Sequence, residues 1–340
     1  MSFFSHLFNF PETDPATVHQ NLRMEGEILH AKTTARTFRA GRLEVISLGE
    51  LRRRAEPASG QRTTLRQVVG DAGRLHHLPE NNGALFQAAS QFNLLEMVNP
   101  DVSPRAGITG YAHDNTQGPA CAIACAAGTV YRNYFAPVGQ QSGQCGPHQI
   151  DTLADIAAYF DNDRRGLWEM RNGYALFGER GLRAVDIHLS KLSTAALEDL
   201  RGKLQIGVQW RTEVTTVGPE QIVSQAYCSA LPIGYHRFHR DPAWERFARL
   251  ILDATYEATL LAAVENAAQT GNNRCLLTLV GGGVFGNPQR WILSAIERAL
   301  RLVDRAGLDV AIVSYGTPDP AVTALVDARV EALRATRDSR

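Results

Sequence analysis

The sequence predicts an α/β fold built on a mostly parallel central sheet, and three features carry that prediction. The C-terminal part reads strand, glycine-rich loop, helix, strand, helix across residues 275–334. Its two apolar runs, 275–280 (CLLTLV) and 309–315 (DVAIVSY), lack polar-apolar alternation, as expected of strands covered on both faces. The chain has 340 residues and is 44% hydrophobic, enough to bury a large core. Its 35 basic and 35 acidic side chains cancel, which argues against a disordered tail or a non-specific nucleic-acid binder.

Residues 1–36 carry Pro11 and Pro15 around a candidate helix at 14–23 and read as an N-terminal extension packed on one α/β domain, 37–335. Residues 43–48 alternate like an edge strand, with Arg52, Arg53 and Arg54 as its solvated end and a turn cluster at 57–61. The segments 65–69 and 83–92 are buried-strand candidates, though the second is long enough for a helix. Residues 93–119 hold no apolar periodicity, and so long a loop in a compact domain is usually functional. The small side chains of 120–128 (ACAIACAAG) predict a closely packed helix.

Asp151 is placed to cap a helix running to Phe160, and Asn172-Gly173 reads as a turn leading into a strand that starts at Tyr174. Residues 204–214 and 222–231 add two strands, and 242–269, apolar at helical spacing, predicts the longest helix. An amphipathic helix at 288–303 and a last helix at 320–334 complete the order. The stretch 136–270 enlarges the domain, as a lid, a substrate platform or extra sheet and helices.

No apolar run nears the ~18 residues of a membrane span, and the opening MSFFSHLFNF lacks a basic leader, so a soluble cytoplasmic protein is expected. Five cysteines over this length fit a reducing compartment. Cys121, Cys125, Cys145 and His148 read as buried thiols beside a turn histidine rather than a metal site, and His236 and His239 as loop residues.

Two loops carry the chemistry. Gly281-Gly282-Gly283-Val284-Phe285-Gly286 satisfies GxGxxG between a strand and a helix, where side-chain-free amides can approach a diphosphate. A dinucleotide-fold reading fits less well, because Asp309 begins the next strand where that fingerprint wants an acid at its end. The 93–119 loop holds Glu96, Asp101 and Asp114, positioned where open α/β sheets bind ligands. One loop carboxylate is usually a solvated cap, but three together favour an acid, base or cation-binding role.

Together the loops resemble the macrodomain family of ADP-ribose binders and hydrolases. Val68-Val69-Gly70-Asp71 looks like its V-x-G-D element, Ala89-Ser90-Gln91-Phe92-Asn93 its strand ending in asparagine, 118–128 its loop helix, and 279–288 (LVGGGVFGNP) its diphosphate-gripping loop. The interval from Asp71 to Asn93 is longer than usual, and GITGYAHDNTQG replaces the customary glycine run, bringing in Asp114. SQFNLLEM, TQGPACA and GGGVFGNP are similar to a divergent branch, which includes a Legionella effector, that removes ADP-ribose from arginine.

The resemblance implies a macrodomain-like three-layer α/β/α sandwich and a metal-free site with no cofactor, ADP-ribose being ligand or product. Asp71 would accept from the adenine amino group and Asn93 would hold the distal ribose. Gly281, Gly282, Gly283, Val284, Phe285, Gly286 and Asn287 would grip the diphosphate and sugar, with Thr109, Gly110, Tyr111, Thr116 and Gln117 lining the other loop. Asp114 would be the main catalytic carboxylate, with Glu96 and Asp101 orienting substrate or activating water. The expected partner is an ADP-ribosylated protein, without nucleic acid or membrane. The alternatives are a non-catalytic ADP-ribose reader, which needs no loop carboxylates, and an NAD-dependent oxidoreductase.

Overall fold

A computed structural model describes residues 2–54 and 60–338 of the chain, so most of the turn expected at 57–61 lies outside the described residues. Seven strands form the central sheet: β1 (Arg42–Ser47), β2 (Thr64–Val69), β3 (Leu85–Ala89), β4 (Gln205–Glu213), β5 (Ile222–Cys228), β6 (Arg274–Leu277) and β7 (Asp309–Ser314). Their order is β1-β4-β5-β3-β6-β7-β2. The run from β5 to β2 is parallel throughout, and β4 and β1 extend it antiparallel at one side.

Alternation along the inner strands builds two cores. Leu85, Cys275, Leu277, Val310 and Ile312 point to one face. There they meet α2 (Trp244–Thr270), α3 (Gln289–Leu302) and the start of α4 (Pro320–Asp338). Phe86, Leu276, Ala311 and Val313 point to the other, against Leu75, Ala124 and Cys125 at α1 (Gln117–Ala124) and the helix Ala72–His76. The result is the expected α/β/α layering, with both faces of the inner parallel strands β5, β3, β6 and β7 largely buried. Residues 136–270 supply β4, β5 and α2, which makes them central to this core.

Several elements differ from the sequence reading. The 120–128 segment is two helices, α1 and Ala126–Val130, broken at Cys125. The Thr129 hydroxyl takes the Ala122 carbonyl at 2.7 Å and the Ala127 amide turns to Thr215 Oγ1 at 3.1 Å, so the helical bonds are diverted. Arg52 to Arg54 end a helix, Leu48–Arg54, rather than a strand, and Arg52 bridges Glu257 and Glu198. The helix after Asp151 starts at Ala154, with Asp151 Oδ1 accepting from the Leu153 amide. The N-terminal segment contains helices Phe3–Phe8 and Pro15–Asn21 and then a three-stranded meander, Leu22–Glu25, Ile28–Ala31 and Arg36–Arg39. Tyr174–Phe177 pairs with Trp168–Arg171 in a hairpin whose Asn172 and Gly173 both have positive φ, as a two-residue turn of that hand requires.

Candidate functional site

Four strands end at one cleft of about 730 Å³: Ala89 and Ser90 at the end of β3, Ala230 after β5, Thr278 to Val284 after β6, and Val313 to Tyr315 at the end of β7. A crevice at the carboxyl ends of parallel strands is where such sheets bind ligands, and the volume lies in the range of small-molecule sites. Because β6 lies between β3 and β7, its glycine loop divides the floor. The 91–98 turn lies on one side and Tyr315, Thr317 and Asp319 on the other.

The glycine loop is shaped as an anion cradle. Gly281 has φ +83°, and a Cβ there would sit 2.5 Å from that of Ala230, so both backbone and space demand glycine. Asn287 pins the loop by donating to the Leu231 and Gly281 carbonyls, each at 2.9 Å. Among the described residues the amides of Gly281, Gly283 and Val284 donate to no acceptor, while those of Gly282, Phe285 and Gly286 close the local turn. Three free amides in a concave loop can bind phosphate oxygens. Phe285 joins Tyr174 and Tyr235 in an aromatic wall, with ring centroids 5.1–5.8 Å apart.

Glu96 and Asp114 both line the cleft. Glu96 stands against the start of α1: a Cβ on Gly118 would lie 2.7 Å from its Oε1. That oxygen is shielded from solvent and, among the described residues, accepts no hydrogen bond. Burial first, and then the neighbouring Asp114 charge, push the Glu96 carboxyl well above the usual carboxylate range, with Arg132 opposing. Asp114 ends the short turn Thr109–His113 and its Oδ1 accepts from the Thr116 amide at 2.8 Å. Tyr174, whose hydroxyl donates to the Met97 carbonyl at 2.6 Å, closes this end, and burial raises its phenol.

The turn that presents Glu96 is held by its own Gln91 and Asn93 side chains and by Arg132 and Tyr111 from outside it. Leu94 has φ +65°, unfavourable for leucine, and buried Arg132 donates to its carbonyl at 3.1 Å. Asn93 Oδ1 accepts from the Leu95 amide, the Tyr111 hydroxyl from the Glu96 amide, and Gln91 Oε1 from the Met97 amide.

Of the residues expected at the site, Glu96, Asp114, Thr116, Gln117 and Gly281 to Phe285 share the cleft lining. Others do not. Asp101 is 82% exposed and pairs with Arg171 at the surface. Asp71 caps the helix Ala72–His76 through the Arg74 amide at 2.9 Å, so its carboxylate serves that helix. Asn93 is fully buried, and its amide donates to Gln149. Thr109 and Gly110 are outside the cleft lining, the Thr109 amide donating to Glu12, and Tyr111 is buried with its hydroxyl accepting from the Glu96 amide. Gly286 and Asn287 support the glycine loop from beneath. His236 is also structural, accepting from the Phe177 amide at 2.9 Å.

Tyr235, Tyr315, Thr317 and Asp319 line the cleft without having been singled out. Their only signal in the sequence is that they follow strands, and it needs the strand order to be read. The five cysteines are buried. Among the described residues, no helix is long and apolar enough to cross a membrane.

No protein-family profile matches the chain, and no curated protein does. Among solved structures it is similar to a point mutant of poly(ADP-ribose) glycohydrolase from Deinococcus radiodurans in complex with ADP-ribose. The identity there is 13% over 86% of this chain and 95% of that one, with TM-score 0.43. Poly(ADP-ribose) glycohydrolase from Thermomonospora curvata matches at 12% identity over 93% and 96%, TM-score 0.42. An Oceanobacillus iheyensis macrodomain with MES bound matches at 10% over 87% and 100%, TM-score 0.36.

Proposed function

We propose that the protein is an ADP-ribosylhydrolase that releases mono-ADP-ribose from a modified protein side chain, with arginine the linkage its carboxylates suit. The observation that carries this reading is a cleft with three free amides in its glycine loop and two carboxyl groups, Glu96 and Asp114, in its lining. The amides of Gly281, Gly283 and Val284 hold the diphosphate. The wall of Phe285, Tyr174 and Tyr235 offers apolar surface to the distal ribose.

The barrier to cleaving an N-glycosidic bond is a sugar cation at the anomeric carbon. Asp114 supplies negative charge to that cation and to the guanidinium. Glu96, shifted upward by burial and by the neighbouring Asp114 charge, is the member of the pair that exchanges the proton. In its ionised form it takes a proton from water as the water oxygen bonds to the anomeric carbon. The carbon–nitrogen bond breaks with its electron pair on nitrogen, and the proton passes from Glu96 to the departing guanidine. Asp101, outside the cleft, takes no part.

The test is release of ADP-ribose from proteins modified on arginine, glutamate or serine, with wild type and Asp114→Ala. Arginine-selective release that the substitution abolishes is expected. Tight ADP-ribose binding without release from any of the three would make the protein a reader instead.

A further inference from the structure

A carboxylate far from the cleft in sequence holds the turn on which both cleft carboxyl groups depend. Glu12 belongs to the N-terminal segment, outside the central sheet. Its oxygens accept from the Ile108 amide at 3.0 Å, the Thr109 amide at 2.6 Å and the Tyr134 hydroxyl at 2.7 Å. The loop closes directly onto it: Gly107 has φ +77°, and a Cβ there would lie 2.5 Å from the Glu12 carboxyl carbon. A charged acceptor on several donors is among the stronger polar contacts a protein makes.

What it holds is the turn Thr109–His113, and that turn reaches both groups. Asp114 follows its last residue, with the Asp114 amide donating to the Tyr111 carbonyl at 3.1 Å. Tyr111, in the middle, accepts the Glu96 amide on its hydroxyl at 2.9 Å. The segment that delivers Glu12 is anchored by the same apolar cluster, in which Phe4, Phe8 and Phe10 pack with Leu95, Met97, Ile108, Tyr111 and Tyr134.

We propose that Glu12 is a positioning residue for hydrolysis: through the Thr109–His113 turn it sets Asp114 and Glu96 relative to the glycine loop, which makes the N-terminal segment part of the working site. This rests on the hydrolase reading given above. The diphosphate cradle lies on a separate loop after β6, so ligand binding does not depend on Glu12.

The experiment compares wild type, Glu12→Ala, Glu12→Gln and Asp14→Ala in the full chain. Asp14 caps the neighbouring helix Pro15–Asn21 through the Thr17 amide, and among the described residues its carboxylate hydrogen-bonds within its own segment, so it controls for general loosening of the segment. Glu12→Ala should lower kcat by about 10²-fold, as misplacing reacting groups by an ångström does, with KM and ADP-ribose affinity nearly constant. Glu12→Gln, whose oxygen still accepts from the loop amides while its NH2 meets the Tyr134 oxygen, should recover most of the rate. Asp14→Ala should keep it. Amide exchange across 108–116 should quicken in Glu12→Ala alone. If wild type hydrolyses and Glu12→Ala keeps its kcat, or loses kcat and affinity equally with Asp14→Ala, the positioning role is wrong while the function stands. If wild type releases nothing, the function reading fails, and unchanged exchange at 108–116 would overturn the clamp as well.

Discussion

Replacing Glu96 by glutamine should abolish turnover and yet stabilise the protein, increasingly so as pH rises. Burial and the Asp114 charge raise the Glu96 carboxyl well above its ordinary 4.5. A group with a raised folded pKa keeps its proton when folded after the unfolded chain has lost it. The folded state therefore binds more protons, and stability falls as pH climbs from about 4.5 towards the folded pKa. The slope within that window is about 1.4 kcal/mol per pH unit. Glutamine matches the neutral carboxyl in shape and does not titrate, so the variant escapes the loss. For 340 residues, with an unfolding entropy of about 2.1 cal/mol/K per residue, each pH unit inside the window is a Tm gain of about 2 °C. Paired thermal melts from pH 4.5 to 8.5 measure it. A Tm difference that does not change with pH, or a glutamine variant destabilised throughout, would refute the burial argument.

Other substitutions separate the parts of the site. Asp114→Asn should cut kcat by about 10²–10⁴-fold with little change in ADP-ribose affinity. It should also move the rise of activity with pH downward, because one of the two influences lifting Glu96 is gone; steady-state kinetics across pH report both effects. Gly281→Ala, strained at φ +83° and pressed on Ala230, should weaken ADP-ribose binding at least about tenfold by calorimetry, since it displaces a cradle amide. Arg132→Met should cost about 3 kcal/mol or more in denaturant unfolding, because the Leu94 carbonyl, Gln209 and Thr129 would lose a buried partner together. Asp101→Asn should leave turnover intact and change stability by no more than about 1 kcal/mol, as expected for an exposed ion pair.

The parallel half of the fold was legible because its strands carry uninterrupted apolar runs that only two-sided burial explains; 309–315 is the clearest case. The glycine loop was legible for a related reason, since so many missing side chains between a strand and a helix leave little but backbone to act. The N-terminal meander was missed: its three strands have four residues each and mix charge with apolar positions, so no local period stands out.

Within the carboxylate loop, sequence alone could not rank Glu96, Asp101 and Asp114. Glu96 differs from Asp101 by what packs on it, namely Gly118 and the hydroxyl of Tyr111 on its amide, whereas the Asp101 carboxylate is 82% exposed and pairs with Arg171. Asn93 shows the converse. It looked like a ligand contact at a strand end, but Gln149 and the Leu95 amide satisfy its side chain from within the fold. Glu12 acts across about a hundred residues of sequence, and no motif announces that.

The most direct test of the central claim is the crystal structure of Glu96→Gln with ADP-ribose. The account predicts diphosphate oxygens on the amides of Gly281, Gly283 and Val284, and the distal ribose between Phe285 and the Asp114 carboxylate. ADP-ribose bound elsewhere, or an empty cleft at millimolar ligand, would contradict it.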